Sequence, residues 1–138
     1  MAVYLNNGVS VVFNSVDLSD HVTSVTVNQQ FDELEVTAMG DSAHKFAKGL
    51  EASTITLDFL NDTAVTPTNS VNAVLKAAYG TTVPVVIKQS SGAVSATNPS
   101  YTTTVLVNNV QNVNGAVGDI SNQSITFTCN SIITVAIA

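Results

Sequence analysis

Few residues in this chain have the types and spacing that chemistry requires. The tightest grouping of Ser, His and Asp is Asp41-Ser42-Ala43-His44. A nucleophilic hydroxyl needs a base oriented by a third group in space, and neighbours in sequence do not supply that geometry. No Gly-x-Ser-x-Gly turn presents a serine at a strand end. Asp17, Asp20 and His21 could begin a metal site, but zinc normally takes four ligands, mostly Cys and His. Two distant histidines, His21 and His44, and the single Cys129 make a poor set. The better reading of Asp17-Leu18-Ser19-Asp20 is a turn whose side chains accept backbone hydrogen bonds. Asp32-Glu33-x-Glu35 offers paired carboxylates without an apolar neighbour to split their pKa values. Cys129 ends the alternation Ile125-x-Phe127-x-Cys129, which predicts a buried, inert thiol. No phosphate-binding glycine loop or calcium loop occurs. The expectation is a protein without catalysis, cofactor or metal.

Composition narrows the remaining classes. The 138 residues carry 10 Asp and Glu against 4 Lys and no Arg, a formal net charge of −6, and only 10% are charged. Nucleic-acid binding needs clustered cations to displace counterions from phosphates, which four scattered lysines cannot provide. A disordered chain needs high charge and few β-branched residues, the reverse of this one. The longest apolar tract, Ile132 to Ala138, is far too short to span a membrane and contains Thr134. No basic, apolar leader is evident at the start, and one cysteine allows no internal disulfide, which fits folding in a reducing cytosol. Charge is also uneven: residues 1–62 have net −7 and residues 63–138 net +1.

The elements that would position these residues are mostly strands. Ile55, Leu57 and Phe59 alternate with Thr54, Thr56 and Asp58, the period of a half-buried strand. Residues 22–31 read as one long strand with Val25 and Val27 on one face. Val83, Val85 and Ile87 form another, where Pro84 predicts an edge or a strand start. Tyr101 to Val107 and Ile125 to Cys129 supply two more. One segment breaks the period: Val71, Val74, Leu75 and Ala78 fall at i, i+3, i+4 and i+7, predicting a helix over about 70–79. Pro67 stands before it, Asn69 or Ser70 can cap it, and Gly80 follows. One short helix among some eight strands predicts a mainly β, single-domain chain over 1–138, a β-sandwich with a helix on its flank. Residues 39–50 are the longest stretch without clean alternation, and they gather His44, Lys45 and Lys48. Compact domains seldom keep long irregular loops without a use.

The succession of short motifs resembles the major tail (tail tube) proteins of long-tailed bacteriophages. It begins at Val16-Asp17-Leu18-Ser19-Asp20-His21-Val22 and continues through Glu35-Val36-Thr37-Ala38-Met39-Gly40 and Gly49-Leu50 into Ile55-Thr56-Leu57-Asp58-Phe59. Ser95-Ala96-Thr97-Asn98-Pro99-x-Tyr101 and Gly115-x-Val117-Gly118-Asp119-Ile120 complete it, so that the likeness spans about residues 16–128. Met39 and Asn114 stand where family members often carry Phe and Gly.

The resemblance implies a β-sandwich or barrel-like subunit, six to a ring, with rings stacked into a hollow tube. Strands near 22–31, 33–38 and 52–60 would supply much of a continuous inner sheet. Residues 39–50, with Met39, Gly40, Asp41, His44, Lys45, Phe46 and Lys48, would be a loop reaching an adjacent subunit or ring. Asp32, Glu33, Glu35 and Asp58 would face the lumen, where negative charge lets DNA slide without binding. The implied partners are copies of the chain itself and tail-tip or initiator, tape-measure and terminator proteins. The implied location is the virion tail, assembled in the host cytoplasm, with no membrane. Other readings are a capsid decoration or head–tail joining protein, and a small carbohydrate-binding or adhesion module. The last would usually carry more exposed aromatics than the 6% found here.

Overall fold

Alternating β-branched residues form most of the strands in the computed structural model, which describes residues 8–62 and 70–138. Pro67 and Asn69, expected just before the helix, lie outside the described residues. Ten strands and one α-helix occur among those described, all strand pairs antiparallel. They are β1 (Ser10–Phe13), β2 (Val16–Asp17), β3 (Val22–Asn28), β4 (Phe31–Glu35), β5 (Phe46–Glu51), β6 (Thr54–Leu60), α1 (Val71–Ala78), β7 (Thr82–Lys88), β8 (Ser100–Leu106), β9 (Asn122–Cys129) and β10 (Thr134–Ala136). The main sheet runs β2-β1-β7-β8-β9-β6-β3, with β10 on β8, while β4 and β5 form a separate ribbon.

The main sheet folds onto itself. In a flat sheet β1 and β9, three places apart, would be about 14 Å from one another. Yet the Phe13 and Phe127 rings lie 5.3 Å apart, so the two halves face each other across one core. The corner is at β8. It pairs with β7 along its whole length, but with β9 only at Val105 and Leu106, and β10 takes over at Ser100–Thr102. Residues 130–133 cross that split, where Thr103 is buried and its hydroxyl donates to the Ser131 carbonyl at 3.1 Å. Strands that change partners at a corner are how such sandwiches turn.

The expected helix forms. Its buried residues are the four that set the periodicity, Val71, Val74, Leu75 and Ala78, and they join the same core as Leu57, Phe59, Val105 and Ile125. Ser70 caps it by accepting from the Ala73 amide, and Gly80 follows with φ +81°, which favours glycine. Pro84 is the third residue of β7 and a local edge position, because β1 stops pairing at Phe13↔Val85 and only the β8 side of Pro84 meets the ladder. Its carbonyl still accepts from the Asn14 amide at 2.8 Å. Asn14 and Ser15 both have positive φ, as a two-residue hairpin turn between β1 and β2 requires.

Candidate functional site

Residues 22–31 form two strands, not one. β3 pairs with β6 in the main sheet, the chain breaks at Gln29-Gln30, and β4 then pairs with β5 outside it. The Ala52 amide donates to the Gln30 carbonyl at 2.8 Å and keeps the two segments in line. The result is one long hairpin whose root lies in the sheet and whose outer part, an arm over residues 31–51, stands off the body. Residues 31–48 are exposed almost throughout.

The arm corrects the expected limits of the irregular segment. From Phe46 onward the chain is strand, so Phe46, Lys48 and Gly49 belong to β5, and irregular backbone is confined to about 36–45. Glu33 stands opposite Lys48 and Glu35 opposite Phe46. Gly49 is needed for close approach: a Cβ there would lie 2.8 Å from the Asp32 carbonyl oxygen. At the tip the Asp41 carboxylate accepts from the Ala38 amide at 2.8 Å and pairs with Lys45 at 2.9 Å. These bonds hold its pKa below the ordinary carboxylate value, the Ala38 amide most strongly. His44 meets Glu35 at 2.5 Å. Asp41, Ser42 and His44 therefore do not converge as a triad. At the root Glu51 accepts from the Ile133 amide at 2.7 Å and from Gln29, and both bonds lower its pKa.

The four acids expected to face a lumen lie on two elements. Asp32, Glu33 and Glu35 lie on the arm, and Asp58 lies on the outward face of β6 opposite Ser24 and Ser124. That outward face continues as Thr26, Asn28, Thr54, Thr56, Thr126 and Thr128, a wall of hydroxyls and amides with Asp58 its one charge. The open edge of β3 borders a groove lined by Val9, Val22, Val25, Val27, Ile87 and Tyr101.

The other candidate chemistry takes structural roles. Asp17 accepts from the amide and hydroxyl of Ser19, which lower its pKa, as the turn reading expects. His21 Nε2 meets Asp62 at 3.1 Å. Cys129 is half-buried rather than fully enclosed, and desolvation pushes its thiol pKa up, away from a reactive thiolate. No group of three potential metal ligands occurs among the described residues, and no helix among them is long and apolar enough to cross a membrane.

Sequence reasoning singled out Met39 and Phe46 but missed the rest of the exposed apolar residues. On the arm the full set is Phe31, Leu34, Val36, Met39, Phe46 and Leu50, with Met39 103% and Leu50 81% exposed. A second set, Val113, Val117 and Ile120, stands on the loop over residues 107–121, with Val113 95% and Val117 106% exposed. The available signal was apolar residues isolated among Gly, Asn and Asp, as in Val113-Asn-Gly-Ala-Val117-Gly-Asp-Ile120.

No protein-family profile matches the chain, and no curated protein matches it. Its fold is similar to that of a chain in the cryo-EM structure of the anti-feeding prophage (AFP) baseplate, 6-fold symmetrised. The identity is 10%, the match covers 99% of this chain and 98% of that one, and the TM-score is 0.55. This chain thus shares nearly its entire fold with a component of a prophage baseplate.

Proposed function

We propose that the chain is a non-enzymatic structural subunit of a phage-tail-type assembly, polymerising as stacked rings into a hollow tube. The observation that carries this reading is the uncovered arm. A two-stranded ribbon alone is marginally stable in water and needs further strands or a packed face. Taking ~180 Å² for a fully exposed large apolar residue, the six on the arm offer on the order of 700 Å², near the ~800 Å² that each partner of a stable complex buries. Isolated monomers seldom leave so much apolar area in one element. Copies of the chain are the simplest cover, because the molecule also leaves the β3 edge open for pairing. The fold shared with a prophage baseplate chain and the succession of tail-tube motifs support the same reading.

In such a tube the hydroxyl-rich outward face of β3, β6 and β9, with Asp58, would suit the lumen. A wall without cations has no purchase on phosphates, so DNA passes without being held. Tip, tape-measure and terminator proteins would be the heterologous partners, and the virion tail the location. Negative-stain microscopy of the purified chain tests the proposal. Hollow filaments of uniform width are expected. Particles that remain monomeric or trimeric at all concentrations would favour a decoration or joining protein instead.

A further inference from the structure

Asparagine followed by glycine occurs twice in the chain, at Asn7-Gly8 and at Asn114-Gly115. Asn7 lies outside the described residues, whereas Asn114 and Gly115 stand exposed on the loop over residues 107–121. With no Cβ beside it, a glycine nitrogen is the least shielded in a backbone. Other features converge on this peptide bond. Among the described residues, nothing accepts a hydrogen bond from the Gly115 amide. The Ser121 hydroxyl donates to the Asn114 carbonyl at 3.1 Å and itself accepts from Asn61 Nδ2 at 2.7 Å. A donor on that carbonyl draws electron density from the peptide nitrogen and eases loss of its proton. The bond also borders an open hollow lined by Asn114, Gly115, Asp119 and Asn122, so water reaches it.

We propose that Asn114 is a self-modifying site, converted without an enzyme to aspartate or isoaspartate. The Gly115 nitrogen gives its proton to solvent and attacks Asn114 Cγ. The new N–Cγ bond closes a five-membered imide as the Cγ–Nδ2 bond breaks, and Nδ2 leaves as ammonia with a proton from solvent. Water then opens the ring. Addition at Cγ restores the main chain and gives aspartate, while addition at the backbone carbonyl gives isoaspartate with one extra main-chain carbon. No electrons change hands, and water is the only co-reactant. Other asparagines lack this setting: Asn98 is buried and precedes Pro99, which has no N–H, and Asn28 and Asn122 lie in strands.

The amide that leaves is also the loop's anchor. Asn114 Nδ2 donates to the Asn122 carbonyl at 2.9 Å and lies 3.4 Å from Gln111 Oε1. A carboxylate in its place has no hydrogen to donate and faces two acceptor oxygens. Asp119 on the same loop adds a like charge. The loop, with its exposed Val113, Val117 and Ile120, therefore parts from the start of β9. Because ammonia is lost, the change does not reverse.

Peptide mapping of the full chain, kept folded at mildly alkaline pH, tests this. Conversion at Asn114 should outrun that at exposed Asn108, Asn109, Asn112 and Asn130, and isoaspartate should be among its products, which direct hydrolysis of the side chain does not give. Gly115→Ala should slow conversion by about 10-fold, the scale of crowding that a Cβ introduces. Ser121→Ala leaves Gly115 in place and should slow it by about 5-fold, the net worth of one hydrogen bond. Asn114→Asp mimics one product. In it the Asn61 amide, which bonds the Ser121 carbonyl at 3.0 Å, should exchange about 5- to 10-fold faster, with β7 and β8 unchanged. Conversion at Asn114 no faster than at the other exposed asparagines, or aspartate as its sole product, would overturn the inference. A Ser121→Ala rate at or above the parent's would overturn the activating role of Ser121, and unaltered Asn61 exchange would overturn the release of the loop. None of these readouts depends on filament formation, so the proposed function stands or falls separately.

Discussion

Gly49 is where an added side chain should loosen the arm and leave the body intact. In β5 it faces β4 so closely that a Cβ would meet the Asp32 carbonyl oxygen at 2.8 Å, the Asp32 Cβ at 3.0 Å and the Leu34 Cγ at 3.3 Å. Carbon and oxygen in adjacent strands normally keep about 3.3 Å or more. The first obstacle is backbone, so no rotamer change removes it, and the ribbon must open by about 0.5 Å. Gly49→Val, with two further methyls, should cost about 1–3 kcal/mol of overpacking strain. The four paired positions of the ribbon, Phe31↔Glu51, Glu33↔Lys48, Leu34↔Ala47 and Glu35↔Phe46, contribute about 0.2–1 kcal/mol each. Strain and pairing are thus the same size, and the ribbon yields first. Amide hydrogen exchange on the monomer measures this at the Val36 amide, which bonds the Lys45 carbonyl at 2.9 Å. Exchange should quicken by about 5- to 150-fold, with β6 and β9 amides unchanged. Gly8→Ala, where a Cβ meets nothing within 4 Å, serves as the silent control. Unaltered exchange at Val36 in the Gly49→Val chain would refute the close-approach reasoning, and so would equal acceleration in β6 and β9.

Two further outcomes follow from the same geometry. Phe127→Ala removes a fully buried ring packed on Phe13 and should lower urea stability by about 3–5 kcal/mol, whereas exposed Phe46→Ala should change the monomer by less than about 0.5 kcal/mol; similar losses for both would contradict the placement of the core. Acid should release the arm and the C-terminal strand ahead of the body. Asp41 and Glu51 have folded pKa values lowered by backbone hydrogen bonds, so their stabilisation is complete above the ordinary values of 3.8 and 4.5 and is lost as pH falls through the lowered ones. Exchange at the Ile133 amide, corrected for its intrinsic pH dependence, should rise over that window, and Glu51→Gln should abolish the rise; a flat profile in the parent chain would contradict it.

What was legible in the sequence is what has one face on the core. Ile55, Leu57 and Phe59 are buried and their Thr and Asp neighbours are not, so burial wrote the period of two into the residues. Val71, Val74, Leu75 and Ala78 did the same at the helical period. The ribbon carried no such record. Phe31, Leu34, Phe46 and Leu50 are exposed beside acids and lysines, so no inward face imposed alternation, and residues 46–50 read as loop. Pro84 marked a local edge, but not how far the neighbouring strand runs. Its missing N–H excludes it from a ladder only where both sides are paired, and whether β1 reaches that far is a tertiary fact. The acids were visible in sequence as one cluster, but Asp58 belongs to the sheet and the others to the arm, a separation set by the break at Gln29-Gln30.

The placement of charge now bears on the tube reading more directly than its total does. A sheet face in water is normally studded with Lys and Glu, which stop it stacking on another copy. Here the outward face of β3, β6 and β9 holds Ser24, Thr26, Asn28, Thr54, Thr56, Ser124, Thr126 and Thr128, with Asp58 its one acidic residue, while five acids crowd the slender ribbon. A chain living alone has reason to do the opposite. The flat face would need charges for solubility, and a narrow arm would need few. The inversion is sensible for a wall bordering a moving polyanion, since cations would hold its phosphates and hydroxyls let them pass. On the arm, net negative charge would penalise pairing of one copy's arm with another's. On the tube reading proposed above, the same few charges would suit an inert lumen.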